Sequence, residues 1–180
     1  MPDVIVLLQR DHQSAERLLS RVDGLTNAQA AEYFCELREA LVRHEVAEEL
    51  VIYPAFREKV PLGGGVADAR LAEQAAVGQE LARLEHEDTS SASFLTQLRE
   101  LRAAVLAHAS QEESEVFPPL KAALRPSELE QLGKHYEKAL ASAPTHPHPH
   151  VPQTPPGNTL LEPLAALIDH LRDAMRSSPS

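Results

Sequence analysis

The stretch HEVAEELVIYP at residues 44–54 is written a second time, as HASQEESEVFP, at residues 108–118; both read H-x-x-x-E-E-x-x-x-[YF]-P. Each copy sits in a run whose apolar residues recur every three or four positions, the period of one helix face. The stripe ahead of and through the first copy holds Phe34, Leu37, Leu41, His44, Glu48 and Val51, and that of the second holds Phe94, Leu98, Leu101, Val105, His108 and Glu112. Histidine and glutamate therefore stand where an inward helix face calls for leucine. A fold for this chain must turn both faces inward and then deal with imidazoles and carboxylates in its core.

Two further runs have the same character. Residues 4–22 carry Ile5, Leu8, His12, Ala15, Leu19 and Val22, and residues 66–87 carry Ala67, Leu71, Gln74, Gly78, Leu81 and Glu85. Thr26 and Gln29 have capping-box spacing ahead of the second helix, and Pro54 marks the place where that helix weakens. The proline and glycines of PLGGG (61–65) predict a loop, and the polar EDTSSAS breaks the pattern before the fourth run, which stops near Pro118 and Pro119. A shorter fifth helix, capped by Ser127 with Glu130, is striped by Leu129, Leu132, Tyr136 and Leu140. Four helices of about 20 residues with modest connections predict an all-α, up-down-up-down four-helix bundle with additional C-terminal helices.

The bundle domain is expected over 1–141. Residues 142–158, SAPTHPHPHVPQTPPGN, form a proline- and histidine-rich linker that should be extended, and 159–177 an amphipathic helix capped at Thr159. The apolar stripe of that last helix needs a surface, either the bundle itself, a second subunit or a protein partner.

A formal net charge of −10, with no lysine or arginine cluster, argues against a nucleic-acid or anionic-membrane partner. Apolar runs are too short to span a bilayer, and the start of the chain has no basic segment of the kind a signal peptide needs. The single cysteine, Cys35, excludes an internal disulfide, fits a cytoplasmic location and is expected to be a small buried hydrophobe.

Residues four apart share a helix face about 6 Å apart along the axis, so each H-x-x-x-E offers one imidazole and one carboxylate to the same interior point. With His12 facing them, three imidazoles and two carboxylates would be buried, at several kcal/mol per unpartnered charge. A cation among them offsets that cost; the alternative is a polar core that shares protons and holds no metal. Nitrogen and carboxylate donors without thiolate suit Fe, Mn or Zn, and two carboxylates on facing helices can bridge a pair of ions.

At these residues the chain resembles the hemerythrin-like (HHE cation-binding) family, through RDHQSAERLL, LVRHEVAEELVIYPAF, LAEQAAVGQELARL and VLAHASQEESEVFPPL; its proline- and histidine-rich ending is similar to tails of actinobacterial members. The resemblance implies a four-helix bundle around a non-haem iron centre, usually di-iron, in proteins that bind O₂, respond to redox state, act on NO or peroxide, or handle iron. By matching position it implies His12, His44, Glu48, His108 and Glu112 as metal ligands. The third helix departs from the pattern, with Glu73–Gln74 where the family usually has histidine after the glutamate. That position is then open, filled by water, or taken by Glu73 or Glu45, and reversible O₂ carriage becomes a weaker reading. His86, about 18 Å further along the helix, is no substitute.

Tyr53 and Phe117, each one residue before a proline, are expected to pack at the helix exits, with Tyr53 also able to donate a hydrogen bond or ligate. Glu49 and Glu113 are expected as solvated charges, the other reading being acceptors for the ligand histidines, and His135 as a surface residue. His146, His148 and His150 share no fixed pocket in an extended linker. The functions to weigh are an iron protein that binds or reacts with O₂, peroxide or NO, a non-catalytic redox sensor or iron-handling protein, and a structural bundle loaded with Zn or Mn.

Overall fold

The computed structural model describes residues 2–147, which form helices joined by short turns, with no strand among the described residues. Helix α1 is Val4–Leu19, followed by a 3-10 turn, Ser20–Gly24. Helix α2, Asn27–Ala47, passes through a π turn, Glu48–Ile52, directly into α3, Tyr53–Lys59. Then come α4, Gly63–Leu84; α5, Ala92–Glu115; α6, Phe117–Ala123; and α7, Pro126–Ser142. Helix α1 packs on α2, α2 on α4, α4 on α5, and α5 back on α1, which closes the expected four-helix ring; α7 lies across α1 and α2. The latter part of the linker, its His148 and His150, and the C-terminal helix lie outside the described residues.

Local chemistry explains the helix starts. Asp3 accepts from the Val6 amide at 3.0 Å and Ser91 from the Phe94 amide at 3.1 Å, each satisfying a first-turn donor. Thr26 donates its backbone N–H (3.2 Å) and hydroxyl (2.8 Å) to Gln29 Oε1, as its spacing predicts.

The second helix weakens just ahead of Pro54, as expected: the wide turn over Glu48–Ile52 bonds the Tyr53 amide to the Glu48 carbonyl, five residues back, and the chain continues as α3 with proline in its first turn. Pro118 and Pro119 likewise sit in the first turn of α6. The expected PLGGG loop shrinks to a turn at Pro61–Leu62, and its glycines open α4. The first of them is needed there, because a Cβ on Gly63 would lie 2.9 Å from the Phe56 ring and 3.1 Å from its carbonyl oxygen. The cap of α7 is Arg125, not Ser127: Pro126 presets the helical φ one residue earlier, and Glu128 accepts from the Arg125 amide at 2.8 Å. Cys35 is exposed, not buried, since it falls one residue beyond Phe34 and so rotates off the inward stripe.

The apolar interior is split in two. One cluster joins the start of α1 (Val4–Leu8) to Ile52, Phe56, Leu120 and the α7 residues Leu129, Leu132 and Tyr136. The other joins Leu19 and Val22 to Leu37, Leu41, Leu81, Phe94, Leu98 and Leu101. In every helix of the ring, the polar residues of the stripe fall between these two clusters. The α7 face closes the first cluster tightly: a Cβ on Gly133 would stand 3.0 Å from the Pro2 carbonyl oxygen and 3.3 Å from Leu7 Cδ1.

Two substitutions at the α3–α4 turn test this packing. Leu62 is 98% exposed in the left-handed region at φ 61°, so Leu62→Gly loses no packing. Relief of about 1 kcal/mol of backbone strain, partly offset by unfolded-state entropy, predicts a small net gain in denaturant-melt stability. Gly63→Ala should instead lose about 1–3 kcal/mol, because the neighbouring atoms include backbone that cannot rotate away.

Candidate metal centre

His12 of α1, His44 of α2, Glu48 of the π turn and Glu112 of α5 offer four donor atoms that all lie within 4.8 Å of one another. Donors opposite each other across a bound ion stand about 4.2 Å apart, so little contraction is needed. His12 Nε2 is 3.3 Å from Glu112 Oε2 and 4.0 Å from Glu48 Oε1, and His44 Nε2 is 3.3 Å from Glu48 Oε1. His108 stands on the other side of Glu112, its Nε2 3.4 Å from Oε1. Glu48 and Gln74 are wholly buried and Glu112 nearly so. Five buried atoms here have no hydrogen-bond partner: His12 Nε2, His108 Nε2, Glu48 Oε1, Glu112 Oε2 and Gln74 Oε1.

The opposite nitrogen of each histidine is held. His12 Nδ1 donates to Glu113 Oε1 at 2.9 Å and His108 Nδ1 to Glu73 Oε2 at 2.9 Å. His44 Nδ1 donates to the Tyr136 hydroxyl at 2.8 Å, which in turn donates to Asp11 Oδ2 at 3.1 Å. Because carboxylates only accept, the proton belongs on Nδ1, and every Nε2 is left to face the interior as a donor of electrons. This arrangement, an outer acceptor fixing the tautomer of an inward imidazole, is what metal-binding histidines require.

The electrostatics of the metal-free cluster show how poorly its charges are matched. Burial, and then the neighbouring His12, push His44 down to about 3, so it is neutral. Burial and Glu112 raise Glu48 well above the usual carboxylate range, while Glu45 rises through burial and the nearby Glu49. Burial would raise Glu112 as well, but the close imidazoles of His108 and His12 hold it low. Those two imidazoles, despite burial, are raised by Glu112 and by Glu113 or Glu73. Protons thus stand in for a cation, and three of the acceptors remain unsatisfied carboxylate or amide oxygens.

All five residues aligned as ligands meet here, with His108 set apart by one carboxylate width. Glu73 is not among them: it holds His108 from outside while pairing with Arg70 at 2.6 Å. Gln74 reaches the centre and donates Nε2 to Glu48 Oε2 at 2.7 Å. Tyr53 donates its hydroxyl to Glu112 Oε1, and burial keeps the phenol protonated. Glu45 is buried without joining the cluster. Glu113, expected in solvent, grips His12, and Phe117 stacks on the same ring at 5.3 Å between centroids. His135 is half-buried and His86 exposed beyond the end of α4. His146 pairs with Glu85 at 2.7 Å, away from the centre.

Sequence reasoning missed Tyr136, Asp11 and the buried Arg70. The available signals were a phenol inside the α7 stripe and an acid directly before His12.

The description "Hemerythrin HHE cation binding domain" matches residues 3–120. An uncharacterized hemerythrin-like protein of Schizosaccharomyces pombe is 32% identical over 140 residues, covering 77% of this chain and 69% of that one. A protein of Nostoc sp. named DNA nickase is 27% identical over 134 residues, which make up 74% of this chain and 38% of the Nostoc protein. No solved structure matches. The family match stops short of α7, so Tyr136 is supplied by a helix outside it. With its paired His and Glu motifs gathered between four helices, the chain belongs to the hemerythrin HHE cation-binding family.

Proposed function

We propose that His12, His44, Glu48, His108 and Glu112 hold non-haem iron, and that the protein uses it to bind or react with a small oxidant: O₂, peroxide or NO. The observation that carries this reading is the set of buried acceptors with no donor, surrounded by three histidines whose Nδ1 protons are all tied outward. Such a set is satisfied by a cation and by little else. Donors of nitrogen and oxygen alone suit Fe, Mn or Zn, and family membership favours iron. When bound, iron supplies Lewis acidity and a reversible change of oxidation state.

The chain's own groups define what can approach. A groove of about 430 Å³ between α4 and α5 is lined by His108 and Glu73 together with Ala76, Val77, Ala104 and Ala107. Small apolar side chains at that point leave room for a small neutral molecule. Tyr53 keeps its proton against Glu112, and Gln74 presents an uncharged amide, so neither adds negative charge beside the ligands. Among the described residues no helix is long and apolar enough to cross a membrane. A cytoplasmic setting, without a nucleic-acid partner and with a second copy or another protein as candidate partner of the C-terminal segment, completes the proposal.

Anaerobic addition of Fe(II) to metal-free protein should raise its melting temperature; a ligand at one hundred times its Kd adds about 2.7 kcal/mol. Exposure to peroxide or NO should then change the visible spectrum. Multiple turnovers abolished by His108→Ala would establish an enzyme, whereas one stoichiometric conversion would establish a sensor or iron-handling protein. A colourless protein that retains only zinc would overturn the iron reading in favour of a structural bundle.

Tyr136→Phe removes one oxygen from the His44–Tyr136–Asp11 chain. It should weaken Fe(II) or Co(II) binding about 10–100-fold, the usual effect of losing the group that orients a ligand histidine. The metal-free protein should lose only about 1 kcal/mol in a denaturant melt.

A further inference from the structure

The two carboxylates at the centre are not used symmetrically. Glu48 Oε1 and Glu112 Oε2 have no donor, and both belong to the cluster with His12 and His44. Their other oxygens are occupied. Glu48 Oε2 accepts the Gln74 amide at 2.7 Å, and Glu112 Oε1 accepts the Tyr53 hydroxyl. The Gln74 amide presents its NH₂ to Glu48, and its carbonyl oxygen is left unpartnered.

The centre therefore offers two unequal positions. The first has two imidazoles and two carboxyl oxygens that no protein donor occupies. The second, beside His108, has one imidazole, a neutral amide oxygen, and two carboxylate oxygens that already face protein hydrogens. A neutral amide is a weaker donor than imidazole, and a cation at the second position must compete with, or displace, the N–H of Gln74 and the O–H of Tyr53.

Resting on the iron reading above, we infer that this chain binds one cation tightly between His12, His44, Glu48 and Glu112, and that Gln74 and Tyr53 close the second position, beside His108, to tight binding. The resident centre is a single ion, with a weak or vacant neighbour, and the equal pair that the family resemblance implies does not form. This arrangement puts the second position on the side of His108, the one residue of the cluster that lines the α4–α5 groove, and a small molecule or a second ion enters from that side.

The test is metal counting, with no need for activity. Metal-free full-length protein is titrated anaerobically with Fe(II) and, separately, Co(II), then desalted and assayed for metal per chain, with calorimetry for affinities. One retained equivalent is expected, with any second equivalent at least ~10-fold weaker. His44→Ala should abolish the retained ion, whereas His108→Ala should weaken it far less. Gln74→His combined with Tyr53→Phe should bring retention to two equivalents. Two equally tight equivalents in the unaltered protein would overturn the inference while leaving the iron reading intact, as would loss of the retained ion in His108→Ala but not in His44→Ala. Failure to retain either metal would sink both readings together. Should the double variant not fold, the unaltered protein and the two alanine variants still decide the matter.

Discussion

The structure depends on a polar layer that the bundle cannot satisfy by itself. His12, His44, Glu48, Gln74, His108 and Glu112 interrupt the apolar stripes at one level and divide the core into two clusters. Removing such groups from water costs several kcal/mol for each unmatched charge. The layer persists because acceptors converge on one point where a cation can neutralise them. Proton sharing, with His12 and His108 raised and Glu48 neutral, is the compromise open to the metal-free chain.

Around that point the protein builds rigidity outward. Each histidine is fixed by a second group, and each of those groups comes from a different element: Glu113 from α5, Glu73 from α4, and Tyr136 from α7 backed by Asp11 of α1. Helix α7 is thus more than an addition to the bundle. It seals the apolar cluster at the start of α1, pressed close by Gly133, and it delivers the phenol that orients His44. The π turn has a comparable effect on α2, placing Tyr53 five residues beyond Glu48 and on the same inward side, against Glu112.

What the sequence made legible was whatever follows from helical period. The four stripes, their inward sense and the five His and Glu positions can all be read from spacing, and the ring closed as that spacing requires. What stayed hidden depends on distance in three dimensions. Nothing in the local pattern says that Glu113 turns towards His12, or that Tyr136, some ninety residues from His44, comes within hydrogen-bond reach of it. The glycines at 63–65 were misread because their local preference is overruled, at Gly63 by an approach to Phe56 that leaves no room for a Cβ. Cys35 was misjudged by residue type, when one step of helical rotation from Phe34 decides its exposure.

The doubled motif, nearly symmetric as text, is asymmetric as chemistry. In the second copy Glu113 accepts from a histidine of the neighbouring α1, and Phe117 stacks on that same ring. By the same logic, Glu49 of the first copy would face a histidine of its own neighbour, α4, where this chain carries Gln74. Glu49 has no hydrogen-bond or ion-pair partner among the described residues, and burial pushes it up to about 8, so it is held neutral. Tyr53, where the second copy has phenylalanine, supplies a hydroxyl that Phe117 cannot. The absence of an imidazole at Gln74 is thus accompanied by a carboxyl without a partner and by two neutral donors turned onto the central carboxylates. These changes all fall on one side of the centre, and an equal pair of ions would need that side to match the other.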